Sequence, residues 1–294
     1  MAATYLDDIV AAHRAAAAQD GRDLDELVRR AATAGPVRGF ANSLRRRAAA
    51  GRLGVVAEVK RRSPSKGALN PDLDPATVAG WYATGGAAAV SVLTDEQFFG
   101  GCAADLQAAR GAVALPVLRK DFTVAPADVA DARLMGADAV LLIVAALSGR
   151  ELADLVALSR RLGLDALVEI HDERELAVAL EVGATIIGVN QRDLTTFEVD
   201  PERAARVGRS IPGDALAIAE SGIGGADQAK VVADAGFDAV LVGESLVCSP
   251  DPVAATATLA ALDACGVPGR RGRSALGRSG RSALGRSGRG ALGR

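Results

Sequence analysis

Between residues 55 and 244 the chain alternates a short β-like run with a stretch of helical spacing eight times over, and that alternation limits the fold more than any other feature. The runs are VVAEVK (55–60), AAVSVL (88–93), PVLRKD (116–121), AVLLIV (139–144), ALVEI (166–170), IIGVN (186–190), ALAIAE (215–220) and AVLVGE (239–244). Between them lie DPATVAGWYATGG, CAADLQAARGAV, SGRELADLVALSRRLG, DERELAVALEVG and GADQAKVVADAG, several closing on glycine where a helix C-cap is expected. Near-continuous apolar runs of this length suit parallel strands buried on both faces. Eight such units in about 210 residues predict an α/β fold, a (β/α)8 TIM barrel. A doubly wound open sheet is the alternative.

What flanks the repeats sets the domain plan. Residues 1–50 are expected to form a helical extension, from the spacing of Leu6, Ile9, Val10 and His13 and of Leu24, Leu27 and Val28, covering the barrel bottom or folding over its top. Residues 51–269 form the barrel. Residues 270–294 repeat RSALGRSG and then decay, with eight arginines and no acid, so a net charge of −2 conceals an acidic body and a basic tail. Too apolar-poor for a packed solenoid, this tail is expected to be disordered. A low-complexity extension is preferred to a nucleic-acid contact, because it offers no aromatic for base stacking.

Composition removes several function classes. With aromatics at 3% and hydrophobic residues at 49%, the core must be built from Ala, Val, Leu and Ile. No run of eighteen apolar residues is present, and the N-terminus carries early acids rather than a basic stretch before an apolar one, so a cytoplasmic protein is expected, as a monomer. Three cysteines without close spacing and two histidines give no disulfide framework and few metal ligands. A chemistry without metal or cofactor, worked by carboxylates, lysines and backbone groups, is the simpler expectation.

The first run poses a problem that points to such a site. Glu58 and Lys60 lie two apart and share a strand face, opposite Ala57 and Val59. A buried carboxylate and ammonium cost several kcal/mol each, roughly, unless well paired. An edge strand with a wet face, or an interior ion pair, would explain these two alone. The other strand ends add Lys120, Glu169, Asn190, Glu220 and Ser221. In a (β/α)8 barrel the C-terminal strand ends form the active site, so these residues converge on one mouth. Acid–base catalysis is the chemistry they offer. A lysine in a dry pocket or beside another cation loses pKa, and a glutamate in the same pocket moves the opposite way. A Schiff-base role for Lys120 or Lys60 stays open.

Two glycine-containing turns, AESGIGG and LVGESL, follow the seventh and eighth runs, where barrels commonly bind phosphate through backbone N–H groups. Gly222, Gly243 and the amide of Glu244 are the candidate donors. After the first run, SPSKG places Ser63 and Lys66 beside Arg61 and Arg62, positive charge for an anionic substrate unless the loop is simply basic and solvated.

Together the segments AEVKRRSPSKG, SVLTDEQFFGG, PVLRKDF, ALVEIHDE, GVNQRDL, IAESGI and VLVGESL resemble, in order and spacing, the indole-3-glycerol-phosphate synthase family, from the N-terminal helices to about residue 265. The resemblance implies a small phosphorylated substrate, 1-(2-carboxyphenylamino)-1-deoxyribulose 5-phosphate, closed to an indole with loss of carbon dioxide and water. It implies Lys120 as the acid at the ribulose carbonyl, Lys60 beside the substrate carboxylate with Glu58 next to it, and Glu169 as the dehydration base. Asn190, Arg192, Glu220 and Ser221 would orient the substrate, and Ser63, Gly222 and Gly243 would hold its phosphate. Phe99, Phe122, Pro64 and Leu194 would form an apolar pocket for the anthranilate ring. Gln191 departs from the family's more usual Asn, outside the expected contact residues. A sugar-phosphate isomerase on the same barrel fits less well, since Lys120, Glu169 and Asn190 are not its acid–base set.

Overall fold

A computed structural model describes residues 4–63, 66–193 and 198–264. Its barrel strands are β1 (Gly54–Val59), β2 (Ala89–Leu93), β3 (Val117–Lys120), β4 (Ala139–Ile143), β5 (Asp165–Ile170), β6 (Ile186–Asn190), β7 (Leu216–Glu220) and β8 (Ala239–Val242). All are parallel, each pairs with the next, and β1 pairs with both β2 and β8, closing the barrel. The open sheet is thereby excluded, and β1 has no wet edge. Every run expected from the sequence is a strand. Lys60, Asp121, Gly243 and Glu244 lie just past strand ends, because there the chain leaves the ladder to build the mouth.

Period-two alternation sorts the side chains. Val55, Ala57, Val59, Val90, Val92, Val168, Ile170, Ile187 and Val189 face outward into the layer shared with the surrounding helices. Val56, Ala89, Leu118, Leu141, Leu167, Ile186, Ile218 and Leu241 face inward as a second, interior cluster. Alanine, valine, leucine and isoleucine fill most of both, which suits a chain so poor in aromatics. Several helices begin on side-chain caps: Asp74 accepts from the Thr77 amide at 2.9 Å, and Ser148 and Glu151 close a reciprocal capping box.

The N-terminal extension covers both ends of the barrel. α1 (Tyr5–Ala18) lies at the mouth, where Arg14 pairs with Glu151 at 2.7 Å and donates to the Ala146 carbonyl at 3.1 Å. α2 (Leu24–Ala32) runs along the side, and just before it Arg22 bonds Asp131 at 2.8 Å. α3 (Phe40–Ala49) closes the bottom: Phe40 and Leu44 are fully buried in the interior cluster. The Ala41 amide donates to Asp165 at 2.8 Å, and Ser43 Oγ to the Ala88 carbonyl at 2.7 Å, holding α3 against the strand starts. Among the described residues no helix is long and apolar enough to cross a membrane. The basic repeat lies outside the described residues.

Because Phe40 plugs the barrel floor, Phe40→Ala should lower unfolding free energy by about 3–5 kcal/mol. Urea denaturation followed by far-UV circular dichroism measures it, and a loss below about 1 kcal/mol would contradict the plug.

Candidate active site

The inward positions change character near the C-terminal strand ends. Below, they are Val56, Leu118, Leu167, Ile186 and Ile218; at the next inward position β1, β3, β5 and β7 carry Glu58, Lys120, Glu169 and Glu220. β6 carries glycine there and Asn190 at its end. A cavity of about 630 Å³ opens above this layer. Every expected site residue among those described lines it: Glu58, Lys60, Ser63, Phe99, Lys120, Phe122, Glu169, Asn190, Arg192, Glu220, Ser221, Gly222, Gly243 and Glu244. Pro64 and Leu194 lie outside the described residues.

Charge is arranged as a chain of pairs. Lys60 Nζ meets Glu58 Oε1 at 2.7 Å, so the two charges at the end of the first strand neutralise one another. Lys120 Nζ lies 3.5 Å from Glu169 and 4.0 Å from Glu220. Asn190 Nδ2 donates to Glu169 Oε1 at 3.0 Å, and Asn190 Oδ1 accepts from the Arg192 amide at 3.0 Å, which fixes the orientation of that side chain. His171 stands behind, Nε2 at 3.7 Å from Glu169 and Nδ1 at 3.0 Å from Glu175.

These neighbours set the protonation states. Burial alone would lower the pKa of Lys120, but Glu169, Glu220 and Glu58 outweigh it and hold the ammonium charged well above its ordinary range. The expected depression of a dry-pocket lysine is therefore reversed, because its near neighbours are carboxylates rather than a second cation. Burial would raise Glu169, yet Lys120, His171 and the Asn190 amide keep it ionised. Glu220 moves up as expected, through burial and then the nearby Glu169 charge. Among the described residues neither Glu220 oxygen has a hydrogen-bond donor, and Glu169 Oε2 has only the Lys120 ammonium at 3.5 Å.

Space for Glu220 comes from Gly188 on the neighbouring strand, where a β-carbon would sit 1.9 Å from Glu220 Oε1. Gly243 serves Glu58 likewise, with 2.4 Å to its Oε1. Opposite the aromatic wall, the turn after β7 holds Ser221 at φ 62, the sole non-glycine with positive φ among the described residues, followed by Gly222 at φ 69. For serine this left-handed conformation costs about 1–2 kcal/mol. Gln191, buried and beyond the expected contacts, donates to the Ser221 carbonyl at 2.8 Å and so braces the turn.

Other expectations need correction. Arg61 binds Asp105 and the Leu73 carbonyl, and Arg62 binds the carbonyls of Gln97 and Phe98; neither lines the cavity. Their charge is spent fastening the loop after β1 to its neighbours, a use that a run of sequence does not reveal. Ser63 and Lys66 do line it, Lys66 paired with Glu244 at 3.0 Å. Residues not anticipated also form walls: Tyr5, Leu6 and Ile9 from α1, and Asp121 after β3. The apolar spacing of α1 was visible, but not which end of the barrel it would cover.

A closed parallel barrel with its buried titratable groups gathered at one mouth is the architecture of a (β/α)8 enzyme. A family model described as indole-3-glycerol phosphate synthase matches residues 6–259. An indole-3-glycerol phosphate synthase of Chlorobium phaeovibrioides is 50% identical over 189 residues, 64% of this chain and 73% of that relative. Indole-3-glycerol phosphate synthase 2 of Streptomyces coelicolor is 53% identical over 191 residues, 65% of this chain and 74% of the relative. A thiamine phosphate pyrophosphorylase from Pyrococcus furiosus shares the fold alone, with a TM-score of 0.54 at 19% identity over 70% of this chain and 93% of that one. The chain belongs to the indole-3-glycerol phosphate synthase family. It is thus a decarboxylating carbon–carbon lyase of tryptophan biosynthesis.

The strained turn gives a test in which stability and activity part company. Ser221→Gly should raise unfolding free energy by about 0.5–1 kcal/mol while lowering kcat/KM, since relief of strain also removes a hydroxyl from the cavity wall. Paired denaturation and steady-state assays read both, and unchanged kcat/KM would show that Ser221 does not touch substrate.

Proposed function

We propose that this site closes 1-(2-carboxyphenylamino)-1-deoxyribulose 5-phosphate to indole-3-glycerol phosphate by lysine and glutamate acid–base chemistry. The observation that carries this reading is the Lys120 ammonium, held 3.5 Å from Glu169 and 4.0 Å from Glu220 on the floor of a cavity with two phenylalanines on one side and glycine turns on the other.

The anthranilate ring sits against Phe99 and Phe122. The phosphate sits opposite, at the turns of Gly222 and Gly243, the amide of Glu244 and Ser63. Binding both ends of the substrate bends it, so that the ring carbon bearing the carboxylate approaches the ribulose carbonyl. Lys120 donates to that carbonyl oxygen. Because its pKa is held high, its first contribution is electrostatic, a fixed ammonium where oxyanion charge develops, with the proton following as the carbon–carbon bond forms. Loss of carbon dioxide then restores the aromatic ring. In the dehydration step, Lys60, beside the substrate carboxylate in the first step and kept oriented by Glu58, helps the hydroxyl leave as water. Glu169, ionised in the free site, takes the proton that completes the pyrrole ring. Asn190, Arg192, Glu220 and Ser221 orient the intermediates. Orientation and charge supplied by the chain itself suffice for each of these steps.

Appearance of indole fluorescence on mixing the protein with this substrate tests the reading. Wild type should turn over, and Lys120→Ala should lose about a hundredfold to ten-thousandfold in kcat. Equal rates would remove Lys120 from the mechanism, and an inactive wild type would remove the reaction.

A further inference from the structure

We propose that His13 is a positioning residue for the aromatic side of the cavity, fixing Phe99 and Phe122 through the two aspartates that hold their backbones. The inference rests on the ring-binding role assigned above to those phenylalanines.

His13 projects from α1 into the seam between the loops that follow β2 and β3. Its Nε2 is 2.8 Å from Asp95 Oδ2 and 3.9 Å from Asp121 Oδ1, and one atom from each of the three groups lies within 4.8 Å of the others. Both aspartate side chains are only 3% exposed. Each also grips a loop. Asp95 Oδ1 accepts from the amides of Phe98 and Phe99, at 2.6 and 3.0 Å, and Asp121 Oδ1 accepts from the Phe122 amide at 2.8 Å. The His13 ring packs on Phe122 at 5.5 Å between centroids, and Phe122 on Phe99 at 6.0 Å. One imidazole therefore joins, through acids and through stacking, both phenylalanines that line the cavity.

Charge balance explains why a histidine serves. The groups facing it are Asp95, Asp121 and Asp128, while Arg119 is bonded to Asp121 Oδ2 at 2.8 Å. One guanidinium does not neutralise these acids, so an imidazolium completes the cluster, and its removal leaves Asp95 buried without a cation. Attachment of α1 is a separate matter, since Arg14 already ties the helix to Glu151 and to the Ala146 carbonyl. What His13 adds is directed at the loops. Burial would lower its pKa, but the Asp95 hydrogen bond and the Asp121 and Asp128 charges outweigh that and raise it. The charged clasp is thus intact at acid and neutral pH and is lost as pH climbs through that raised value.

The experiment is steady-state kinetics of wild type, His13→Gln and His13→Lys from about pH 6 to about pH 9, alongside amide hydrogen exchange of residues 95–99 and 121–123. In His13→Gln, KM should rise about tenfold at neutral pH, with kcat falling by less than KM rises. Wild-type KM should climb on the alkaline side, His13→Gln should lack that limb, and His13→Lys should move it to higher pH. Exchange at the two loops should quicken in His13→Gln. An unchanged KM, or the same alkaline limb in all three proteins, overturns the proposal. Should His13→Gln not fold, wild type against His13→Lys decides by the same pH series. If wild type does not turn over the substrate, the reaction assignment fails alone, and the exchange rates still show whether His13 holds the loops.

Discussion

A charged lysine surrounded by carboxylates inside a barrel is the constraint on which the rest of this structure turns. Buried charges are tolerated only when paired and supplied with further hydrogen bonds, and even then an apolar core of the same shape is often no less stable. Lys120 meets that condition through Glu169 and Glu220, Glu169 through Asn190, and Asn190 through the backbone of Arg192. Gly188 and Gly243 exist as gaps into which carboxylates fit. The apolar layers below, capped by Phe40 and Leu44, supply the burial that offsets this expensive layer. Stability is concentrated at the floor and chemistry at the mouth.

Much of this was legible because parallel strands speak plainly. Their near-continuous apolar runs marked all eight strands, period two put Glu58 and Lys60 on one face, and the strand-end rule for such barrels gathered Lys120, Glu169 and Glu220 with them at one mouth. What the sequence withheld depended on direction. Arg61 and Arg62 sit beside Ser63 in the chain but turn away to bind Asp105 and the Gln97 and Phe98 carbonyls. Gln191 follows a site residue with nothing in its spacing to mark a role, yet its amide holds the Ser221 carbonyl. Whether α1 covers top or bottom is a question of long-range packing, to which helical spacing is indifferent. The pKa of Lys120 was misjudged for a related reason: its direction depends on which charges approach within a few ångströms, not on burial alone.

The turn after β7 shows how a site departs from local preference. Ser221 occupies a conformation that glycine would accept at little cost, and Gly222 follows in the same region of backbone space. Local strain of this kind persists only where surrounding structure over-determines it. Gln191 below the turn, and Val199, 2.6 Å from where a β-carbon at 222 would lie, provide that determination. Serine stands here on the cavity wall, and the strain is the cost of placing a side chain at that turn.

The chain's two histidines occupy corresponding places in the charge pattern. His171 stands behind Glu169 and is itself held by Glu175; His13 stands behind Asp95 and Asp121, the latter held from the other side by Arg119 and Thr94. In both cases nearby carboxylates raise the imidazole's pKa against the effect of burial. Neither histidine lines the cavity; each touches an acid or a ring that does. Their distribution divides the work of the mouth. His171 helps keep Glu169 ionised, and His13 meets the aspartates that hold the loops of Phe99 and Phe122. A barrel interior alone would leave those loops to hold themselves. The N-terminal extension, by bringing His13 across the mouth while Phe40 closes the floor, makes the wall that carries Phe99 and Phe122 a shared product of helix and barrel rather than of loop sequence alone.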